Sequence, residues 1–216
     1  MYPICLNIKG QLCTVVGGGV VAERKVLALL EAEARVRIIS PALTKPLTEL
    51  ATEGSITWLP RRYCRDDLDQ AFLVFAATDK REVQEEVRRD ASKAGILINV
   101  TDAPEQSEFH VPAVIRQGDL TLTVSTNGKS PALAAKIRKQ LTKNYGPEYA
   151  VLLHLMAQLR EQVLAGDCEN EERKILFQNI LHDDILQWIK DGQRQQLRTH
   201  LAAVLGSTNI DFDLLL

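Results

Sequence analysis

Leu12-Cys13-Thr14-Val15-Val16-Gly17-Gly18-Gly19-Val20-Val21-Ala22 is the stretch that decides the fold. An apolar, strand-like run meets three glycines, and the glycines open a helix-like stretch that reaches Glu33. Gly17, Gly19 and Ala22 fit the pattern G-x-G-x-x-G/A, in which a strand, a tight turn and a helix N-terminus face a pyrophosphate. Gly17 makes the turn, Gly19 lets backbone approach phosphate without a Cβ, and Ala22 allows close helix–strand packing. Gly18, Val20 and Val21 complete the loop expected to hold the cofactor. The free N–H groups of the helix start favour an anion. A glycine-rich structural turn is the alternative reading. The strand before the glycines and the helix after them favour the dinucleotide.

The alternation continues outward from this loop. Val36–Ser40, Ile56–Leu59, Phe72–Ala77 and Ile96–Val100 are strand-like. Ala42–Glu53 is helical but weakened by Pro46, and Lys80–Ala94 is a helix stopped by Gly95. Repeated β-α units predict an α/β fold with a Rossmann-type parallel sheet. The pattern then changes. Val111–Ile115 and Leu120–Ser125 predict a hairpin across Gln117-Gly118-Asp119, and Ser130 caps a helix with Pro131 in its first turn. This is a small α+β element. From Pro147 the pattern is helical throughout: apolar stripes fall at Leu152/Leu155/Met156/Leu159, Ile175/Leu176/Ile180/Leu181, Ile185/Leu186/Ile189 and Leu197/Leu201/Val204/Leu205. Asp183 is the expected N-cap of the third stripe, and the acidic, apolar tail from Ser207 is expected to dock locally or in trans.

The bulk properties narrow the partners. The 216 residues are 45% apolar, enough for a real core, and the net charge of −2 gives no reason to expect nucleic acid or an anionic membrane. Cys5, Cys13, Cys64 and Cys168 form no CxxC pair and read as reduced thiols of a cytoplasmic protein, with no metal site. Lys9 and Gly10 interrupt the start too early for a targeting segment, and no run approaches the ~20 apolar residues of a membrane span.

Other candidate residues cluster at strand ends. An acidic residue at the end of the second strand usually meets the ribose hydroxyls of NAD. Here that end is Ser40-Pro41-Ala42, with no acid and no arginine close behind it. Ser40 and the backbone of Pro41 and Ala42 are therefore expected to line the adenosine pocket, with NAD favoured. Thr78, after the fourth strand, is placed for a cofactor contact or for a helix cap. Asp102, after the fifth, would share the rim of the glycine loop, where a carboxylate can take a proton; a structural loop aspartate is the competing reading. Ser125-Thr126-Asn127-Gly128-Lys129-Ser130 is either a carboxylate cradle or plain turn chemistry. His110 is the one histidine close in sequence to Asp102.

Taken together, Tyr2-Pro3-Ile4, Val15–Lys25 (VVGGGVVAERK), Ala76–Asp79 (AATD), Asn99–Pro104 (NVTDAP), Phe109–Ala113 (FHVPA) and Ser125–Pro131 (STNGKSP) resemble the precorrin-2 dehydrogenase family. That family includes the dehydrogenase/ferrochelatase module of siroheme synthase. The resemblance covers residues 2 to about 140 and implies three parts. These are a Rossmann NAD-binding domain over 1–113, a dimerisation element over 114–146 and a C-terminal helical domain over 147–216. It further implies a homodimer that oxidises precorrin-2 to sirohydrochlorin with NAD, and in some members inserts Fe²⁺. By resemblance, Asp102 is the catalytic candidate. Val20-Val21 and Pro41-Ala42 are cofactor contacts, and Thr126 stands where the siroheme synthase version has serine. His110, Ser125, Thr126, Asn127, Lys129 and Ser130 are the substrate-binding candidates. Gln84 stands where members of that family often carry asparagine, Thr126-Asn127-Gly128 replaces a Ser-Gly-Gly form, and no methyltransferase module is expected after Leu216. A non-catalytic NAD-sensing module, which explains the glycine loop but not NVTDAP or STNGKSP, and a tetrapyrrole carrier, which NAD-indifferent tetrapyrrole binding would favour, are the alternatives.

Overall fold

The computed structural model describes residues 1–165 and 169–206; Cys168 and the tail from Ser207 lie outside the described residues. The chain forms two compact units, Met1–Val111 and Pro112–Leu216.

The first unit contains β1 (Leu12–Val16), α1 (Val20–Glu31), β2 (Arg35–Ile39), α2 (Lys45–Thr52), β3 (Thr57–Leu59), β4 (Leu73–Ala76), α3 (Arg81–Ala94) and β5 (Leu97–Val100). Its strands make a five-stranded sheet in the order β3-β2-β1-β4-β5, parallel throughout. This is the Rossmann-type sheet that the β-α alternation predicts. Side chains alternate across each strand, so β1 feeds two cores. Cys13 and Val15 pack with Ala22, Val26 and Leu29 of α1 and Leu47 of α2. Val16 packs with Val74 and Ala76 of β4 and Val87 and Ala91 of α3. Burial on both faces is why the strands read as continuous apolar runs. Thr14 is the polar exception on β1; its Oγ1 is buried and has no hydrogen-bond partner among the described atoms.

Several ends differ from the sequence reading. Pro46 does not weaken α2; it sits in the first turn, where its missing N–H costs nothing, and the helix starts later than Ala42. α1 stops at Glu31 because Glu33 turns left-handed (φ 57°) to lead into β2.

In the second unit, β6 (Ala113–Gln117) and β7 (Leu120–Val124) form an antiparallel pair in which Gln117 faces Leu120. The hairpin therefore turns on Gly118-Asp119 alone, and the first strand lies two residues later than Val111–Ile115. Pro112 cannot donate to a ladder, and Gly118 (φ 56°) supplies the tight turn. α4 (Pro131–Asn144) follows, its Leu133 N–H donating to the capping Ser130 Oγ at 3.2 Å. α5 (Glu148–Ala165), α6 (Asn170–Ile180), α7 (Ile185–Lys190) and α8 (Arg194–Leu205) complete the unit. Leu152, Leu155, Leu159, Ile180, Ile185, Leu197, Leu201 and Leu205 form their core. Within the second stripe, Ile175 and Leu181 point to solvent instead. The N-cap position of α7 is Asp184, one residue beyond Asp183.

Candidate functional site

In an open α/β sheet ligands gather outside the carboxyl ends of the strands, where the strand order reverses. Here that place is the junction of β1, β2 and β4. The strand ends open there onto a cleft of about 920 Å³ that the glycine loop floors. Gly17 adopts φ 125°, and a Cβ on it would sit 2.1 Å from the Ala77 carbonyl oxygen. Gly18 has an ordinary φ, yet a Cβ there would sit 2.1 Å from the Ala42 carbonyl oxygen. Its own carbonyl accepts the Thr44 N–H at 2.9 Å. Gly18 is thus the packing glycine, a role the motif does not announce. At Gly19 an added Cβ meets nothing within 4 Å. No side chain caps α1, so its first N–H groups are left for a ligand anion. A loop filled on the protein side and open at Gly19 fits a dinucleotide pyrophosphate.

The same cleft collects Val20, Val21, Ser40, Pro41, Ala42, Thr78 and Asp102. Val20 and Val21 are 58% and 40% exposed, large apolar side chains presented to a ligand. Ser40 spends its hydroxyl on the Ala42 carbonyl at 2.7 Å, so this end of the cleft is shaped by backbone. Thr78 Oγ1 accepts the Lys80 N–H at 3.3 Å, a local turn before α3, whose N-cap position is Lys80. Asp102 follows β5 in the left-handed region (φ 63°), a conformation that aspartate tolerates better than most residues. The Gln84 side-chain amide donates to the Thr78 carbonyl at 2.6 Å and reaches the Thr101 carbonyl at 3.5 Å.

A basic segment missed in the sequence also lines the cleft: Arg61, Arg62 and Tyr63, directly after β3. Asp67 holds it in place. Arg61 makes a two-pronged bond to the Asp67 carboxylate, the Cys64 N–H donates to the same group at 2.8 Å, and Arg37 donates to the Asp67 and Asp69 carbonyls. Burial pushes the Asp67 carboxyl up, but Arg61, the Cys64 N–H and Arg37 outweigh it and hold the group below its ordinary range. Tyr63 donates its hydroxyl to Asp90 at 3.2 Å; burial first and Asp90 second push the phenol well above its usual range. The only sequence signal was an arginine pair behind an apolar strand.

The remaining candidates lie elsewhere. His110 puts Nε2 3.1 Å from the Pro104 carbonyl and does not line the cleft. Ser125, Thr126, Asn127, Lys129 and Ser130 belong to the second unit. There the loop uses its own donors: the Asn127 N–H bonds Ser125 Oγ, the Ser130 N–H bonds Thr126 Oγ1 and the Lys129 N–H bonds the Thr126 carbonyl. Lys129 remains exposed. Among the described residues, no three His, Cys, Asp or Glu side chains gather to hold a metal, and no helix is long and apolar enough to cross a membrane.

Comparison with known proteins agrees with this geometry. Residues 4–113 match the family model described as "Putative NAD(P)-binding", and residues 117–144 match "Sirohaem biosynthesis protein central". The siroheme synthase of Nitrosococcus oceani is 35% identical over 203 residues, which are 94% of this chain and 43% of that protein. Siroheme synthase 1 of Aeromonas salmonicida is 38% identical over 184 residues, 85% of this chain and 39% of that protein. The chain thus spans less than half the length of these curated relatives. The solved structure of SirC, precorrin-2 dehydrogenase, superposes with a TM-score of 0.81 at 23% identity, covering 95% of this chain and 99% of that one, a likeness of fold. The chain belongs to the NAD(P)-binding family matched over residues 4–113.

Proposed function

We propose that this chain oxidises precorrin-2 to sirohydrochlorin with NAD⁺, in siroheme biosynthesis. The observation that carries the proposal is Asp102: a carboxylate at the end of β5, on the same cleft as the glycine loop. Gly17–Gly19, Val20, Val21, Ser40–Ala42 and Thr78 hold the dinucleotide, which supplies the two-electron oxidant. Asp102 takes the proton released as the macrocycle loses two hydrogens. Gln84 keeps the Thr78 and Thr101 carbonyls, and with them both strand ends, in register.

The reading extends to the second unit. Residues 114–146 act as the dimerisation element of a homodimer, apart from the helical domain at 147–216. Lys129, Thr126 and their neighbours in 125–130 meet substrate carboxylates, and His110 supports the substrate side. The protein acts in the cytoplasm. Fe²⁺ insertion into sirohydrochlorin is a second activity of the same fold, with Fe²⁺ as substrate and Asp102 removing pyrrole protons.

The test is precorrin-2 plus NAD⁺, followed by absorbance with and without added Fe²⁺. Asp102→Asn is expected to lower turnover ~10²–10⁴-fold, the span of a positioned base, and to spare NAD⁺ binding. Near-normal turnover by that variant overturns the assignment of Asp102. No insertion of Fe²⁺ into sirohydrochlorin above the spontaneous rate restricts the protein to the dehydrogenase step.

A further inference from the structure

The end of β2 carries no acid, yet it is not free of basic groups, because β3 brings them. The Leu59 carbonyl accepts both the Ser40 N–H at 3.2 Å and the Arg61 N–H at 2.8 Å. The Trp58 indole N–H donates to the Ser40 carbonyl at 2.9 Å. These bonds lock the segment after β3 beside the segment after β2, and both line the cleft. The two arginines differ in what they have left to give. Arg61 is committed to Asp67. Arg62 is exposed and lines the cleft, and among the described residues no carboxylate bonds to its side chain. The acidic groups lining the cleft, Asp79, Glu82 and Asp102, belong to the β4 and β5 side.

A parallel sheet with the glycine loop at the switch point places the adenosine ribose at the β2 end. At that position an acid selects the ribose hydroxyls, whereas an arginine accommodates a 2′-phosphate. The guanidinium fork suits a phosphate in geometry and charge. We infer that Arg62 forms a 2′-phosphate subsite, so that the cleft accepts the 2′-phosphorylated dinucleotide NADP⁺ as well as NAD⁺. The inference rests on the dinucleotide reading of the cleft and not on the tetrapyrrole chemistry.

The test is binding alone. NADP⁺ and NAD⁺ are titrated calorimetrically into the full chain and into Arg62→Ala, with adenosine 2′,5′-bisphosphate and AMP as adenosine-end probes. The ratio of NADP⁺ to NAD⁺ affinity is expected to fall about tenfold or more in Arg62→Ala, the factor carried by one charge-assisted contact. The bisphosphate should lose affinity in parallel while AMP does not. Arg62→Lys should keep part of the preference, because it keeps the charge and loses the fork. An affinity ratio that Arg62→Ala leaves unchanged overturns the inference, whether both dinucleotides weaken or neither does. Binding of neither dinucleotide by the unmodified chain overturns the dinucleotide reading itself, a separate result.

Discussion

Gly18→Ala and Gly19→Ala are adjacent substitutions of the same chemistry, and the structure predicts opposite consequences. At Gly18 the new Cβ arrives 2.1 Å from the Ala42 carbonyl oxygen and 2.8 Å from Leu43 Cδ2 and Ser40 Oγ. Approaches under 3.0 Å are essentially never seen, so the backbone at Ala42 must retreat by about 0.9 Å. The retreat pulls on the 2.9 Å bond from the Thr44 N–H to the Gly18 carbonyl, which starts α2. Overpacking of this kind costs ~1–3 kcal/mol and a lost hydrogen bond ~1 kcal/mol more. For a unit of this size the melting temperature should fall by roughly 10 °C or more. At Gly19 the backbone is extended (φ −85°, ψ −174°) and the Cβ meets nothing. The gain of ~0.4–1 kcal/mol from a stiffer unfolded chain offsets the poorer N-cap that alanine makes. Its melting temperature should therefore stay within a few degrees of the unmodified protein. The Cβ of Gly19→Ala instead fills the space offered to phosphate, and dinucleotide affinity should drop about tenfold or more. Thermal melting by circular dichroism, run beside calorimetric titration of NAD⁺, separates the effects. Full affinity in Gly19→Ala, or a melting temperature as low as that of Gly18→Ala, refutes the cradle.

Thr14→Val should stabilise the protein by ~1 kcal/mol in denaturant titration, because it removes a buried hydroxyl without a partner and keeps the shape. Cys13 is buried, and desolvation pushes its thiol up to about 11, so at pH 8 a thiol reagent should label exposed Cys5 and Cys64 in the native protein and reach Cys13 only on unfolding; peptide mapping reads this directly. The Asp67 carboxyl is lowered in the folded state, so its stabilisation is present above the ordinary carboxylate range and lost as acid protonates it; Asp67→Asn should flatten the acid limb of the stability–pH curve and free the Arg61–Tyr63 segment for proteolysis.

Much of the first unit was legible because its signals are local. The glycine loop, the helix stop at Gly95 and the apolar runs of β1 and β4 each lie within a few residues of what they determine. Core stripes at Leu152/Leu155/Leu159 and Leu197/Leu201/Leu205 were legible for the same reason. The errors fell where a second contact decides. Sequence proximity to Asp102 singles out His110, but not the contact its ring makes with the Pro104 carbonyl, which depends on how the chain between them folds. The hairpin strand was set two residues early because Val111 is as apolar as Val114, and only the turn geometry distinguishes them.

The cleft itself shows why a site is harder to read than its fold. In a parallel sheet, strands separated by a whole crossover end side by side, so functional neighbours lie far apart in sequence. Ser40 and Arg61 share one carbonyl across such a gap, and no spacing rule links them. Gln84 makes the same point from the other side. From the sequence it is a departure from the commoner asparagine. In the structure its length lets one amide on α3 reach carbonyls beyond the last paired residues of β4 and β5, Ala76 and Val100. Those carbonyls belong to the residues that carry Thr78 and lead into Asp102. Past the last pair the Thr101 N–H still donates to the Ala76 carbonyl at 3.0 Å, and Gln84 adds a side-chain tie between the two chains at the rim that carries Asp102. An amide shortened by one methylene spans less of that gap. Gln84→Asn should therefore loosen the rim at Asp102 while leaving the glycine loop, on the far side of β4, intact.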